Sequence, residues 1–249
     1  MSGHSKWSTI KRQKGVKDAA RGALFTRLSR EIIIAAKTGG PDPSANFKLR
    51  LAIQRAKASN VPNDNIERAI AKATGGGDGE QLDEITYEGY GPGGTAILIA
   101  ALTDNRNRTV SEIRHKFSRA GGNLGETGSV AWQFAAKGLI SVPVNGHDAD
   151  EIALQAIEAG ADDVRVDPET VEIETEPASL EAVRKTLETA GLEIENADFA
   201  MVPTTTIEVD EKTAHQAMRL IEALEELEDV QRVYTNADFS DEAMNSYAG

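Results

Sequence analysis

The spacing of apolar residues predicts three short helices at the start of the chain. In the segment that begins at Lys17, one helical face carries Leu24, Leu28, Ile32 and Ala35. The opposite face carries Arg27, Arg30 and Lys37. Two glycines and Pro41 are expected to end this helix near residue 39, and helices at 44–58 and 63–73 follow it. Short connections between amphipathic helices predict a small helical domain, called the head below.

The pattern changes to strands after a glycine-rich linker at 74–79. Short segments rich in β-branched, aromatic and other apolar residues predict strands at 85–90 and 95–100, joined by a turn at 91–94. Thr109 and Glu112 have the spacing of a capping box, so a helix is expected to open there and to end near Gly121. Residues 128–134 are predicted to form another strand.

The second half of the chain carries a recognisable order of elements. Strands are predicted at 139–142, 164–167, 171–175 and 194–202, with helices at 150–159 and 180–190. This is the β-α-β-β-α-β order of a ferredoxin-like domain. A strand at 205–209, a helix at 213–227 and a strand at 230–235 then remain without a complete unit. We expect them to pair back onto the segment 87–134.

The predicted fold class is therefore a multidomain α and α+β protein. An N-terminal three-helix domain precedes two α+β domains, and the third domain is ferredoxin-like and inserted in the second. The expected boundaries are 1–80 for the head with its linker, 81–136 with 204–249 for the central domain, and 137–203 for the acidic insertion.

The charge distribution is strongly uneven along the 249 residues. Residues 1–75 have a balance of +10, residues 76–140 of −2 and residues 141–249 of −21, which together give the net −13. Such asymmetry favours a head that seeks polyanions on an acidic body. The alternative is that both ends are solvated surface.

Several classes of protein are excluded or disfavoured. Without cysteine the chain has no disulfide framework and no thiolate metal site. The longest apolar run, 94–102, is about half a membrane span, and the basic N-terminus lacks the apolar core of a secretory signal. The protein is therefore expected to be soluble and not exported. Four scattered histidines and the absence of a G-x-S-x-G signature give no catalytic residue, no metal site and no cofactor.

The basic N-terminal segment is the strongest candidate site. Between Lys6 and Lys17 it has five cations in twelve residues, a composition that gives salt-sensitive and largely sequence-blind affinity for phosphate. The predicted nucleic-acid-binding residues are Lys6, Lys11, Arg12, Lys14, Lys17, Arg21, Arg27 and Arg30. Trp7 is expected to pack in the head rather than to stack on a base.

A second candidate anion site lies between a strand and a helix N-terminus, at Arg106 and Arg108. The equally weighted alternative is a capped turn whose arginines pair with local acids such as Glu88 or Glu112. The glycine-rich segment 121–128 lacks the Gly-Lys-Ser/Thr of a phosphate loop and follows a helix, so a helix stop with a hairpin entry is favoured there.

Several motifs together closely resemble the YebC family. They are Gly3-His4-Ser5-Lys6-Trp7, Lys11-Arg12-Gln13-Lys14, Lys17 to Gly22, Pro62 to Ile66, Tyr87 to Gly94, Thr103 to Thr109 and Gly121 to Phe134. The resemblance implies a helical first domain, two α+β domains with the third inserted in the second, and a cytoplasmic protein. Members are described as probable transcriptional regulators that bind DNA, while mitochondrial relatives act as translational activators and some bacterial members associate with the ribosome. The resemblance supplies no catalytic residues.

Three functions follow as hypotheses. The first is a non-enzymatic transcriptional regulator whose head binds DNA. The second is a ribosome-associated translation factor that relieves stalling, whose same cations contact ribosomal RNA. The third, least favoured, is an enzyme with a ligand site at the glycine-rich segment and the turn at 104–109. The partner is thus nucleic acid, with DNA and RNA both open, and no membrane is expected to be involved.

Overall fold

A computed structural model of the chain describes residues 18–74 and 82–248, with side chains from 22 to 74 and from 82 to 247. The chain divides into two compact units. Residues 134–202 form the second unit, and the chain on either side of them forms the first. No described helix is both long enough and apolar enough to cross a bilayer.

The head consists of three helices, as predicted: α1 (Asp18–Gly39), α2 (Phe47–Ala58) and α3 (Asn63–Thr74). Its core contains the predicted apolar face of α1, with Leu28 and Ile32 buried against Leu49 and Ile66. Helix α2 starts later than expected because the side chain of Asn46 accepts the backbone N–H of Leu49 and caps the helix there.

The rest of the chain follows in this order. The first part of the central domain contains β1 (Asp83–Tyr90), β2 (Ala96–Thr103), α4 (Arg106–Arg119) and β3 (Asn123–Leu124). The second unit contains β4 (Phe134–Pro143), α5 (Ala149–Glu158), β5 (Asp163–Val166), β6 (Thr170–Thr175), α6 (Leu180–Thr189) and most of β7 (Asn196–Pro203). The chain closes with β8 (Ile207–Glu208), α7 (Glu211–Glu225), β9 (Val230–Thr235), β10 (Ala237–Asp238) and α8 (Asp241–Ala248).

The central sheet has the order β3-β1-β2-β9, and its pairings are antiparallel. Strand β9 returns from the end of the chain to lie beside β2, with Ile97 opposite Thr235 and Ile99 opposite Val233. The sheet packs its apolar face on α4 and α7, where Phe117 is fully buried. The expected return of the C-terminal strand, and with it the insertion of the third domain, is confirmed.

The second unit has the predicted ferredoxin-like order of elements. Its sheet runs β5-β6-β4-β7, with β4 antiparallel to β6 and β6 antiparallel to β5. Alternate residues of β6, including Val171 and Ile173, are fully buried, and Ile152 of α5 and Leu187 of α6 are buried as well. The multidomain α+β fold class is therefore confirmed, while the domain boundaries given above stay a prediction.

Two local predictions were wrong. Helix α4 begins at Arg106 and not at a capping box on Thr109, because the side chain of Asn105 accepts the N–H of Arg108 at 3.1 Å. Residues 128–133 form no strand, and three of their backbone N–H groups donate to a buried carboxylate instead. The side chain of Glu88 accepts N–H groups from Gly128, Val130 and Ala131, each at 2.7 Å. These donors are therefore unavailable for a sheet ladder.

Candidate nucleic-acid interface

The predicted nucleic-acid-binding residues are only partly within the described chain. Lys6, Lys11, Arg12, Lys14 and Lys17 lie outside it, as does Trp7. Arg21 belongs to α1, where only its backbone is described. Phosphate binding by these residues stays a prediction.

Arg27 and Arg30, by contrast, are directed at the C-terminal part of the chain. The Nη1 atom of Arg30 donates to Asp229 Oδ1 at 2.8 Å, and Nη2 donates to Glu228 Oε1 at 3.2 Å. An Nη2 hydrogen of Arg27 is donated to the backbone carbonyl of Glu225. Arg30 is 8 % exposed, and burial lowers the pKa of Arg27. The polar face of α1 therefore meets the central domain at these two positions, where the sequence predicted phosphate.

Asp229 is the centre of this contact. Its carboxylate is 2 % exposed and accepts hydrogen bonds from Arg30, from Arg108 at 2.8 Å, from Thr109 at 2.7 Å and from Thr103 at 3.1 Å. Burial alone would raise the pKa of Asp229, but the hydrogen bonds from Arg108, Thr109, Arg30 and Thr103 outweigh it and hold the pKa below its ordinary value. We call this cluster the Asp229 clamp: Asp229 with Arg30, Arg108, Thr103 and Thr109.

The anion beside Arg108 is thus supplied by the protein itself. Arg108 also pairs with Asp104 at 2.7 Å, and Arg106 pairs with Asp83 at 2.8 Å. The alternative prediction, that the two arginines of this turn pair with nearby acids, is confirmed. The acids are Asp83, Asp104 and Asp229, not Glu88 or Glu112. Binding of an external anion here stays a prediction, and Arg106, with its side chain 66 % exposed, is the better placed of the two.

The described part of the head uses its arginines and its lysines differently. Arg50 donates to the Pro43 carbonyl at 2.7 Å and lies over the Phe47 ring at 5.4 Å, and Arg55 pairs with Glu31. The exposed cations of α1, α2 and α3 are mainly lysines: Lys37, Lys48, Lys57 and Lys72. None of these four was among the predicted site residues. Their residue type and their place in the segment with a charge balance of +10 could have identified them.

The other candidate ligand sites have structural roles. Gly121 has a φ of 76° and follows the end of α4, after which β3 begins, so the expected helix stop is confirmed. The carboxylate of Glu88 accepts the backbone N–H of Gly128, at the end of this segment, and those of Val130 and Ala131. Burial alone would raise the pKa of Glu88, but these three hydrogen bonds lower it. Within the described ranges no group of three or more His, Asp or Glu side chains is placed to hold a metal ion.

Two family models match nearly the whole chain. The model of the TACO1/YebC protein N-terminal domain matches residues 5–76, and the model of the TACO1/YebC second and third domain matches residues 82–237. The resemblance stated from the sequence motifs is thereby confirmed.

Relatives are similar over their full length. A "probable transcriptional regulatory protein" of Dehalococcoides mccartyi is 55 % identical over 247 residues, which cover 99 % of this chain and 98 % of the relative. Another protein of that name, from Moorella thermoacetica, is 58 % identical and is covered to 96 %, as is this chain. The crystal structure of a conserved hypothetical protein from Aquifex aeolicus is 47 % identical, with a TM-score of 0.83 over 92 % of this chain and 96 % of that one.

Proposed function

The chain belongs to the TACO1/YebC family. From that premise we propose that it is a non-enzymatic regulator of gene expression whose head binds nucleic acid, with DNA as the first candidate ligand. The names of its relatives support a regulator of transcription. The observation that carries the proposal is the charge balance of +10 in residues 1–75 of a protein with a net charge of −13.

The kind of cation on the head supports contact with the phosphate backbone. An exposed lysine is a flexible point charge that meets phosphate without reading a base edge. Lys37, Lys57 and Lys72 offer such charges on the described helices, in addition to the cations between Lys6 and Lys17. Arg27 and Arg30 are left out of the binding set because their guanidinium groups contact Glu225 and Asp229.

Structured RNA is the second candidate ligand, in a ribosome-associated translation factor. The observation in its favour is the same exposure of lysines, because backbone contacts of this kind serve DNA and structured RNA equally. The acidic third domain, 137–203, would be repelled by either nucleic acid.

Binding of fluorescent DNA duplex and RNA hairpin, measured by anisotropy at several salt concentrations, tests the proposal. Lys11→Glu with Lys14→Glu and Lys57→Glu with Lys72→Glu remove cations from the head. Lys185→Glu with Lys212→Glu, both exposed and outside the head, is the control with the same change in charge. Each lost phosphate contact reduces the salt slope by about 0.9.

Weaker binding by the two head variants, with the control like wild type, is the expected result. The probe bound more tightly in excess competitor identifies DNA or RNA as the ligand. Absence of binding to both probes by the wild-type protein would refute the proposed function. Equal loss in the head variants and the control would attribute the binding to net charge rather than to the head.

A further inference from the structure

Helix α4 in the central domain presents a basic face to solvent. Its inner face is anchored by Ile113 and Phe117, both fully buried. The helix carries five cations and a single acid, Glu112. The outer face bears the exposed residues Ser111, Glu112, Arg114, His115, Ser118 and Arg119.

The cations of α4 divide into two groups. Arg106 and Arg108, at its first turn, are paired with Asp83, Asp104 and Asp229. Within the described residues, Arg114 and Arg119 have no carboxylate within ion-pair distance. Arg119 lies in the last turn, where a cation is favoured by the helix dipole. Arg114 lies before that turn, so the dipole does not account for it.

The basic face is joined to the head through the Asp229 clamp. Arg108, His115 and Arg119 are separated by seven and four residues, so they lie along one stripe of α4. At 1.5 Å per residue the stripe is about 16 Å long. It begins at Arg108, whose guanidinium group shares the Asp229 carboxylate with Arg30 of α1. Helix α1 of the head and helix α4 are therefore joined through one buried carboxylate.

We propose that the outer face of α4, with Arg114, His115 and Arg119, is a second binding surface for the phosphodiester backbone of nucleic acid. This inference rests on the proposed function and extends it from the head to the central domain. Guanidinium groups bind phosphate with two parallel N–H···O bonds, so two exposed arginines supply strong contacts that carry no sequence information. A ligand that contacts both the head and α4 is held at two places on one compact unit.

The test compares the full chain with Arg114→Glu and Arg119→Glu together, on the same DNA duplex and RNA hairpin. The control is again Lys185→Glu with Lys212→Glu, which changes the net charge by the same amount. Loss of two phosphate contacts is expected to weaken binding about tenfold or more near physiological salt and to reduce the salt slope by about 2. Circular dichroism and the thermal midpoint establish that the variant is folded, and Arg114→Gln with Arg119→Gln replaces it if it is not.

The outcomes separate this inference from the proposed function. If the α4 variant binds as the control does while the head variants lose affinity, the α4 surface is refuted and the proposed function stands. If the α4 variant and the head variants both lose affinity with reduced slopes, both are supported. A loss on the RNA hairpin only, or on the duplex only, assigns the surface to that nucleic acid. Absence of binding by the wild-type protein removes both.

Discussion

The Nη1 atom of Arg30 and the Oδ1 atom of Asp229 are 2.8 Å apart, although the two residues are 199 positions apart in the sequence. Arg30 belongs to the helical head, and Asp229 precedes the last strand of the central sheet. Arg232 of that strand also lies 3.7 Å from Glu31 on α1. Buried and half-buried ion pairs therefore join α1 to the C-terminal part of the sheet. The predicted linker at 74–79 lies outside the described residues from position 75 on.

Asp229→Asn is expected to destabilise the protein strongly. The substitution removes the buried charge partner of Arg30 and leaves it only the exposed carboxylate of Glu228. Loss of one member of a buried ion pair costs about 3–5 kcal/mol. The free energy of unfolding from urea denaturation measures this. Asp83→Asn, which breaks the exposed pair with Arg106, is the control and is expected to change the free energy of unfolding far less. Similar losses in the two variants would contradict a special role for Asp229.

The stabilising effect of Asp229 is expected to depend on pH. The folded-state pKa of Asp229 is lowered, so between that value and the ordinary 3.8 the unfolded chain binds the proton and the folded chain does not. Stability must then rise with pH in this window. The difference in unfolding free energy between wild type and Asp229→Asn is expected to be full above about pH 4 and to shrink as the pH falls through the folded-state pKa. Urea titrations from pH 7 to pH 3 measure it, and a constant difference would be inconsistent with the clamp.

Glu88→Gln is expected to loosen the segment 128–131. The carboxylate of Glu88, 3 % exposed in its strand, accepts three backbone N–H groups, whereas an amide presents one acceptor and places donors against donors. The expected cost is about 1–3 kcal/mol. Hydrogen exchange at the amides of Gly128, Val130 and Ala131 should become faster. Glu84→Gln, exposed on the same strand, is expected to leave these rates unchanged.

Two glycine substitutions are expected to have opposite effects. A Cβ atom at Gly122 would lie 2.5 Å from the backbone carbonyl oxygen of Tyr90, so Gly122→Ala must displace the backbone and lower the thermal midpoint. A Cβ atom at Gly22, inside α1, would meet nothing within 4 Å. Gly22→Ala is expected to raise stability by about 0.5–1 kcal/mol through helix propensity. Equal midpoints for the two variants would refute the close approach at Gly122.

Much of the fold follows from local patterns in the sequence. The apolar period that includes Leu28 and Ile32 predicted α1, and the order of strands and helices after residue 138 predicted the ferredoxin-like domain. Such periods are local, because an element that buries one face must repeat apolar residues at its own spacing. The predicted start of α4 was wrong because Asn105 and Thr109 both belong to residue types that cap helices. Only the backbone conformation in the folded protein decides which of them is the cap.

The sequence by itself determined the three helices, the insertion and a strongly basic head, and it carried the motifs of the family. It also placed the cations Arg27 and Arg30 on the polar face of a helix. A helical period shows which residues share a face, but not what that face contacts. Only the tertiary structure decided what that polar face meets. Their partners, Glu225 and Asp229, follow almost 200 residues later, and the partners of Glu88 lie about 40 residues beyond it. The charge of a side chain follows from its residue type, whereas long-range packing decides which group neutralises that charge.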